Sequence, residues 1–188
     1  MGRWQPDSRG RLAEAAFALY AERGFESTTV AEIAARAGVT ERTFFRHFAD
    51  KREVLFAGAG ALEEAVVCAV AEAPADATAL DAVAAGLDAL GAVLPDDPAR
   101  ARQRQAIIAA NAELQERELY KLSSLSATLA EALRDRRVGD PAATLAGEIG
   151  IAVFKTAFER WIDEGDDRPF AEHVREATAE LKTLAGVG

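Results

Sequence analysis

Residues 28–56 read TTVAEIAARAGVTERTFFRHFADKREVLF, and the fold turns on them. Thr29 stands three residues before Glu32. That is the spacing of a capping box, in which a threonine hydroxyl accepts from the glutamate N–H while the carboxylate reaches back. A helix is expected from Val30, with Ile33, Ala34 and Ala37 as its apolar face and Gly38 placed to take the left-handed conformation that ends many helices. Val39 plugs the turn, and Thr40 caps a second helix through Glu41, Arg42, Thr43, Phe44, Phe45, Arg46 and His47. Small Ala34, then Gly38, then apolar Phe44 let two short helices cross steeply with their backbones close. Asp50 with Glu53 repeats the capping signal and predicts a longer helix from Lys51. Upstream, Leu12, Ala15, Ala16, Leu19 and Tyr20 recur at helical spacing and give the motif a supporting helix. These signals together predict a helix-turn-helix.

The longer run ALYAERGFESTTVAEIAARAGVTERTFFRHFADKREVLF, residues 18–56, resembles the DNA-binding domain of the TetR family of transcriptional repressors. Gly24-Phe25, Thr28-Thr29-Val30, Ile33-Ala34, Gly38-Val39-Thr40, Phe48 and Lys51 carry the resemblance. It implies an all-α fold of about nine helices: an N-terminal three-helix helix-turn-helix domain, residues 1–50, joined to a C-terminal helical ligand-binding and dimerisation domain, residues 51–188. It implies a cytoplasmic homodimer that binds double-stranded operator DNA and answers to a small molecule.

Composition agrees. Ala, Leu, Glu and Arg dominate, β-branched residues are dispersed, and 188 residues suffice for a sizeable core. No uninterrupted apolar run approaches twenty residues and Met1 opens a polar segment, so a soluble chain without a leader is expected. The single cysteine, Cys68, excludes an intrachain disulfide; among Val66, Val67 and Val70 it reads as a small core residue. The net charge of −9 is unevenly placed, with residues 1–56 carrying +1 and residues 57–188 carrying −10. The acidity belongs to the second part and leaves a locally basic face free to meet phosphate, because charges beyond about 8 Å are screened at physiological salt.

Arg3, Arg9, Arg11, Arg42, Arg46, Lys51 and Arg52 are the candidate phosphate partners. The second helix of the motif would lie in the major groove, where Arg42 and Thr43 face outward if Phe44 faces inward. Arg42 is the first candidate for a base contact, since a guanidinium can bond both acceptors of guanine; a phosphate contact is the alternative. The family commonly has a small residue there, and it has Tyr where this chain has Phe45, which can pack on a sugar or a thymine methyl but cannot donate. His47 and Lys51 match family positions that meet the DNA backbone, and Thr28, Thr29 and Thr40 can add hydroxyl and amide donors. Phe44 and Phe48 read as core.

Further helices are separated at Ala73-Pro74-Ala75-Asp76, Pro95-Asp96-Asp97-Pro98, Gly139-Asp140-Pro141 and Gly165-Asp166-Asp167-Arg168-Pro169, where Asp can cap and Pro can open a first turn. Lys51 to Glu72 is expected to join head and body as one rigid helix. Between Ala142 and Glu164, Ile151, Phe154, Phe158, Trp161 and Ile162 form one stripe, and Ala146, Gly150, Val153 and Ala157 a smaller one. The small stripe admits a close helix neighbour, and the resemblance to the TetR family implies that it forms the dimer interface with Val174, Ala177 and Leu181 of the last helix, the two helices pairing with their mates as a four-helix bundle; the alternative is that both helices fill the monomer core. Leu62, Val66, Leu87, Leu90, Ile107, Ile108, Leu119, Leu122, Leu125, Phe154, Phe158 and Trp161 are apolar at helical spacing and read either as solid core or, as the family resemblance implies, as the lining of an effector cavity, with Arg104 and Asn111 as polar members. Arg100 and Arg104 lie one turn apart and either face solvent or receive an anionic group. Ile107 to Leu122, IIAANAELQERELYKL, resembles a subset of the family that includes the regulator of the mycofactocin cluster, departing from it at Ala112, where Pro is usual. That resemblance implies a long-chain acyl-CoA effector.

One cysteine, two distant histidines (His47 and His173) and no clustered carboxylates leave no nucleophile, acid/base pair or metal site, so neither an enzyme nor a cofactor is expected. The alternative to a ligand-responsive regulator is a DNA-architectural protein without an effector, which would bind palindromic and scrambled duplexes alike.

Overall fold

The computed structural model describes residues 7–94, 97–164 and 168–186. The described residues hold nine α-helices and no strand. The helices are α1 (Ser8–Arg23), α2 (Val30–Arg36), α3 (Glu41–His47), α4 (Ala59–Glu72), α5 (Ala79–Val93), α6 (Pro98–Ala109), α7 (Ala112–Asp135), α8 (Ala142–Glu164) and α9 (Phe170–Leu184), with a 3-10 turn at Glu53–Phe56. They divide into two compact units. One, the head, runs up to Gly58 and includes Gln103–Glu118; the other, the body, holds Ala59–Arg102 and Leu119 onward. The units do not divide at residue 50: residues 51–58 group with the head, and so does Gln103–Glu118, the end of α6 and the start of α7.

In the head, the expected capping chemistry is present. Thr29 Oγ1 accepts from the Glu32 N–H at 3.3 Å, and Glu32 Oε2 accepts from the Thr29 N–H at 2.9 Å. Gly38 has φ +67°, a left-handed conformation that other residues adopt at a cost, and Thr40 Oγ1 accepts from the Thr43 N–H at 3.2 Å. Leu12, Ala16, Phe25, Ile33, Phe44 and Phe48 close the core, joined by Ile108 and Leu114.

The rigid helix expected from Lys51 does not form. Asp50 Oδ1 accepts from the N–H groups of Arg52 and Glu53, at 2.8 and 3.3 Å, as a cap would. The Glu53 carboxylate, however, pairs with Arg117 instead of reaching back to Asp50, and the chain makes only a 3-10 turn before Gly58 and Gly60. A second departure lies at Ala110–Asn111, where one long helix divides into α6 and α7. Asn111 causes the break: its side-chain amide donates to Ile107 O at 2.6 Å while its carbonyl accepts from the Leu114 and Gln115 N–H groups.

The body is built on close helix approaches. A Cβ on Gly147 of α8 would lie 2.6 Å from the Ser126 carbonyl oxygen of α7, and one on Gly150 would lie 2.8 Å from Val83 Cγ1 of α5. α5 opens on Thr78, whose hydroxyl accepts from the Asp81 N–H, so the cap after Pro74 is this threonine and not Asp76. Asp97 caps α6 as expected, accepting from the Arg100 N–H at 2.9 Å. The punctuation at Pro95-Asp96 and Gly165-Asp166-Asp167 lies outside the described residues. Arg136 closes the end of α4, donating from Nη1 to Val70 O at 3.2 Å and to Ala73 O at 2.7 Å. Cys68 is exposed on α4, contrary to the core placement expected, because Val66 and Val70 take the inward positions. One stretch, Glu53–Glu72, has the mean hydropathy of a membrane span, 1.8. It is not one helix: the 3-10 turn and Gly58 interrupt it, and the 14 residues of α4 reach about 21 Å against a hydrocarbon core of about 30 Å.

Candidate DNA-reading surface

With Phe44 fully buried, the rotation of about 100° per residue carries Arg42 and Arg46 to the opposite face of α3 and Phe45 to its flank. These three and Glu41 are exposed, while Thr43 and His47 are half-buried. Thr29 and Thr40 are exposed at the caps of α2 and α3, their hydroxyls tied to Glu32 and Thr43. His47 Nε2 lies 3.0 Å from Ser8 Oγ, so the end of α3 is fastened to the start of α1.

Two of the sequence candidates are corrected by their partners. Thr28 is 1% exposed, and its hydroxyl donates to Gly24 O at 2.9 Å, which removes it from any surface DNA could touch. Lys51, expected on phosphate, points back into its own domain. Its ammonium donates to Phe25 O at 2.8 Å and Thr28 O at 3.0 Å and lies 4.2 Å from the centre of the Phe25 ring. Tyr20 Oη donates to the Lys51 carbonyl at 2.6 Å, so residue 51 ties the end of α1 and the following loop together. Burial, with the nearby Asp50 carboxylate, pushes the Tyr20 phenol well above its ordinary range.

The remaining cations sort the same way. Arg9 donates to His47 O and Ala57 O and lies over the Phe48 ring; Arg52 is held by Asp50 at 2.6 Å; Arg11 is half-buried; Arg3 lies outside the described residues. The Arg52 guanidinium and two backbone N–H groups hold the Asp50 carboxyl below the usual carboxylate range. Arg42 and Arg46 are left exposed, Arg46 with one guanidinium nitrogen 3.4 Å from His47 Nε2 at the end of the same helix. Selection by internal bonding, which no spacing rule reports, therefore narrows the basic candidates to α3.

The effector candidates divide between the two units. Arg104, Ile107, Ile108 and Asn111 belong to the head. Ile108 is fully buried in the head core, and Arg104 donates from Nε to Leu55 O at 3.0 Å, lies over the Phe56 ring and pairs with Glu118. Its guanidinium is engaged and is not offered to an anion. Leu119 is 64% exposed. Of the remainder, Val66, Leu87, Leu90, Leu125 and Trp161 are buried in the body core, with Leu62, Leu122, Phe154 and Phe158 packed against it. Phe154, Phe158, Trp161 and Phe170 form an aromatic cluster with ring centres 5.6–6.4 Å apart. The Trp161 indole N–H is buried there with no acceptor among the described residues. A cleft beside Val83, Leu87 and Val153 leaves about 10 Å³, the room of a single water.

The dimer candidates are corrected as a set. Ala146, Gly150, Val153, Ala157, Val174 and Ala177 are all buried within the single chain, and Leu181 packs against the same core. The close neighbour that the small stripe admits is α5 and α7 of the same chain. What α8 and α9 turn outward includes Leu145, Ala152 and Thr156 on α8 and Ala179, Thr183 and Leu184 on α9, among charged residues such as Glu148, Lys155, Arg175 and Glu176.

A head of this geometry, with a capped pair of short helices carrying two outward arginines, defines a helix-turn-helix DNA-binding protein. Residues 12–57 match the family model described as bacterial regulatory proteins, tetR family, and residues 77–185 match that of the MftR C-terminal domain. The chain belongs to the TetR family of DNA-binding transcriptional regulators, with a body of the MftR type, and so stands among regulators and not among enzymes. It is similar to the transcriptional regulator TcmR of Streptomyces glaucescens, 39% identical over 83 residues, which is 44% of this chain and 37% of TcmR. It is also similar to the transcriptional repressor KstR2 of Mycobacterium tuberculosis, 47% identical over 47 residues, 25% of this chain and 24% of KstR2. The matched stretches thus span well under half of either relative. Among solved structures, SmeT in its complex with triclosan superposes with a TM-score of 0.64 at 21% identity, covering 94% of this chain and 90% of that one. Such a likeness speaks to fold.

Proposed function

We propose that the protein is a repressor that binds a palindromic operator as a homodimer through α3 and is released when a small molecule occupies the body. The observation that carries the reading is the sorting of cations in the head: Arg9, Lys51 and Arg52 are bound internally, while Arg42 and Arg46 face out from the helix that would enter the major groove. One α3 reads too few bases to specify a site, and a two-fold pair reads a palindrome. Leu145 and Leu184, at 60% and 86% exposure, are the large apolar side chains that α8 and α9 turn outward, and they support this side of the two helices for the second copy.

For the effector, the match to the MftR C-terminal domain and the acceptor-less indole N–H of Trp161 within the aromatic cluster support an apolar molecule with a polar head, and a long-chain acyl-CoA is the class proposed. Release then means that the effector binds the released state better. Moving a bound population from nearly all to nearly none takes about 5.5 kcal/mol of differential affinity.

The test is selection of bound duplexes from a random pool by the full chain, followed by titration of the selected duplex with saturated acyl-CoA of graded chain length. Enrichment of a palindrome bound by two chains, with release that strengthens as the acyl chain lengthens, is the expected outcome. A pool that shows no enriched sequence removes the repressor reading. A selected operator whose binding is indifferent to acyl-CoA removes only the effector class. Arg42→Ala on that operator should relax discrimination at one position of each half-site.

A further inference from the structure

Phe45 is 56% exposed on α3, and its ring is braced on its inner side. Its ring meets the buried Phe44 ring edge-on, with centres 5.4 Å apart and planes at 82°. Phe44 in turn packs against Phe48 at a tilt, so the exposed ring rests on core aromatics. Arg42 lies one turn before Phe45 on the same face and Arg46 directly after it. An isolated exposed apolar residue carries no meaning by itself. This one is set between two outward arginines on the face that, on the reading above, enters the major groove.

The chemistry of that groove leaves few partners for a benzene ring. Phenylalanine has no donor for a phosphate and no acceptor for the amino group of adenine or cytosine. The base edges of the major groove present hydrogen-bonding atoms throughout, except for one apolar group, the C5-methyl of thymine. We infer that Phe45 is a specificity residue that reads a thymine in each half-site by covering its methyl group. It does so while the neighbouring arginines bond guanine or phosphate. The selectivity is for thymine against cytosine, which lacks the methyl at the same place, and it comes from burial of an apolar group and not from a hydrogen bond.

This inference rests on the DNA-reading role of α3, and the experiment separates the two. With the operator selected by the wild-type chain in hand, each thymine is replaced in turn by deoxyuridine, which removes the methyl and keeps every hydrogen-bonding group. Covering one methyl is worth about 0.8 kcal/mol, which converts to about a four-fold loss per half-site and about fifteen-fold when both symmetric positions are changed. The expected result is that penalty at one symmetric pair of thymines with the wild-type chain, and none at the same pair with Phe45→Ala, whose affinity is already reduced on the thymine duplex. Phe45→Leu, which keeps an apolar surface, should retain part of the penalty. An operator that binds tightly but shows no deoxyuridine penalty anywhere overturns the assignment and moves Phe45 to a sugar contact. So does a penalty that survives undiminished in Phe45→Ala. If no duplex is selected at all, the DNA-reading role of α3 fails with it. The deoxyuridine series on the wild-type chain needs no variant, so a poorly folded mutant cannot mask the result.

Discussion

The head and the body are both all-helical, yet they are held by different means. The head is built round two short helices, α2 and α3, and its ends are fastened by side chains: Thr29 and Thr40 at the caps, Lys51 over three loop carbonyls, Ser8 on His47, Arg9 on Ala57. The body has ties of its own, at Thr78, Asp97 and Arg136, but its closest helix approaches depend on the absence of side chains, at Gly86, Gly91, Gly147 and Gly150. Fastened ends fix the orientation of a reading helix to a narrow range, because each bond has a direction. Close-packed glycine faces fix distance and leave sliding as the soft motion. A regulator that must present one surface invariantly and change another benefits from this division.

The largest effect expected on that comparison comes from its shared element, the apolar core. Phe44→Ala removes a fully buried ring from the smaller unit and should cost about 3–5 kcal/mol, read as a lower urea midpoint together with loss of DNA binding. Gly147→Val probes the body on its own terms. Its Cβ would meet a backbone oxygen that cannot swing aside, and a loss of about 1–3 kcal/mol is expected. A neutral result would mean that α7 and α8 separate freely and that close approach does not set their distance.

Lys51→Met tests the fastening. It should lower stability by about 1 kcal/mol, since the ammonium is only half-buried, and weaken binding to every duplex alike without changing the dependence of affinity on salt. A salt slope shallower by about 0.9 would put Lys51 on a phosphate and return it to the reading surface.

The smallest effect is a pH dependence. The Tyr20 phenol ionises at higher pH in the folded head than in the unfolded chain, so the stability it lends is complete below about pH 10 and is lost as pH rises toward its folded value. Tyr20→Phe should remove about 1 kcal/mol of hydrogen bonding to Lys51 O and flatten that alkaline limb; an unchanged limb would place its origin elsewhere.

The same contrast explains how much could be read from the residues alone. The helix-turn-helix rests on local chemistry, with Thr29 to Glu32 and Gly38 to Val39 acting within one turn of chain, and local chemistry leaves its mark in spacing. Which cations remain outward does not: Lys51 and Arg52 look alike in sequence, and only the loop carbonyls and Asp50 that engage them show that neither faces out. The break before Asn111 was invisible for a related reason, since a side chain that competes for Ile107 O resembles any helical asparagine. In the body, the small stripe of α8 correctly announced a close neighbour but could not say whether that neighbour lay in the same chain. Helical periodicity marks a buried face without naming what buries it. Arg104 and Ile108 show the limit most plainly, since their place in the head depends on contacts about fifty residues away in sequence.

The outward placement of Cys68 gives the molecule a ready chemical address. Each chain carries one thiol, and it stands on the exposed side of α4. A maleimide-linked spin label or dye can therefore be attached once per chain with no engineered cysteine and no background to remove. A labelled homodimer would carry two identical probes, and the distance between them, followed as an operator duplex or an acyl-CoA is added, would turn a question about regulation into a ruler reading.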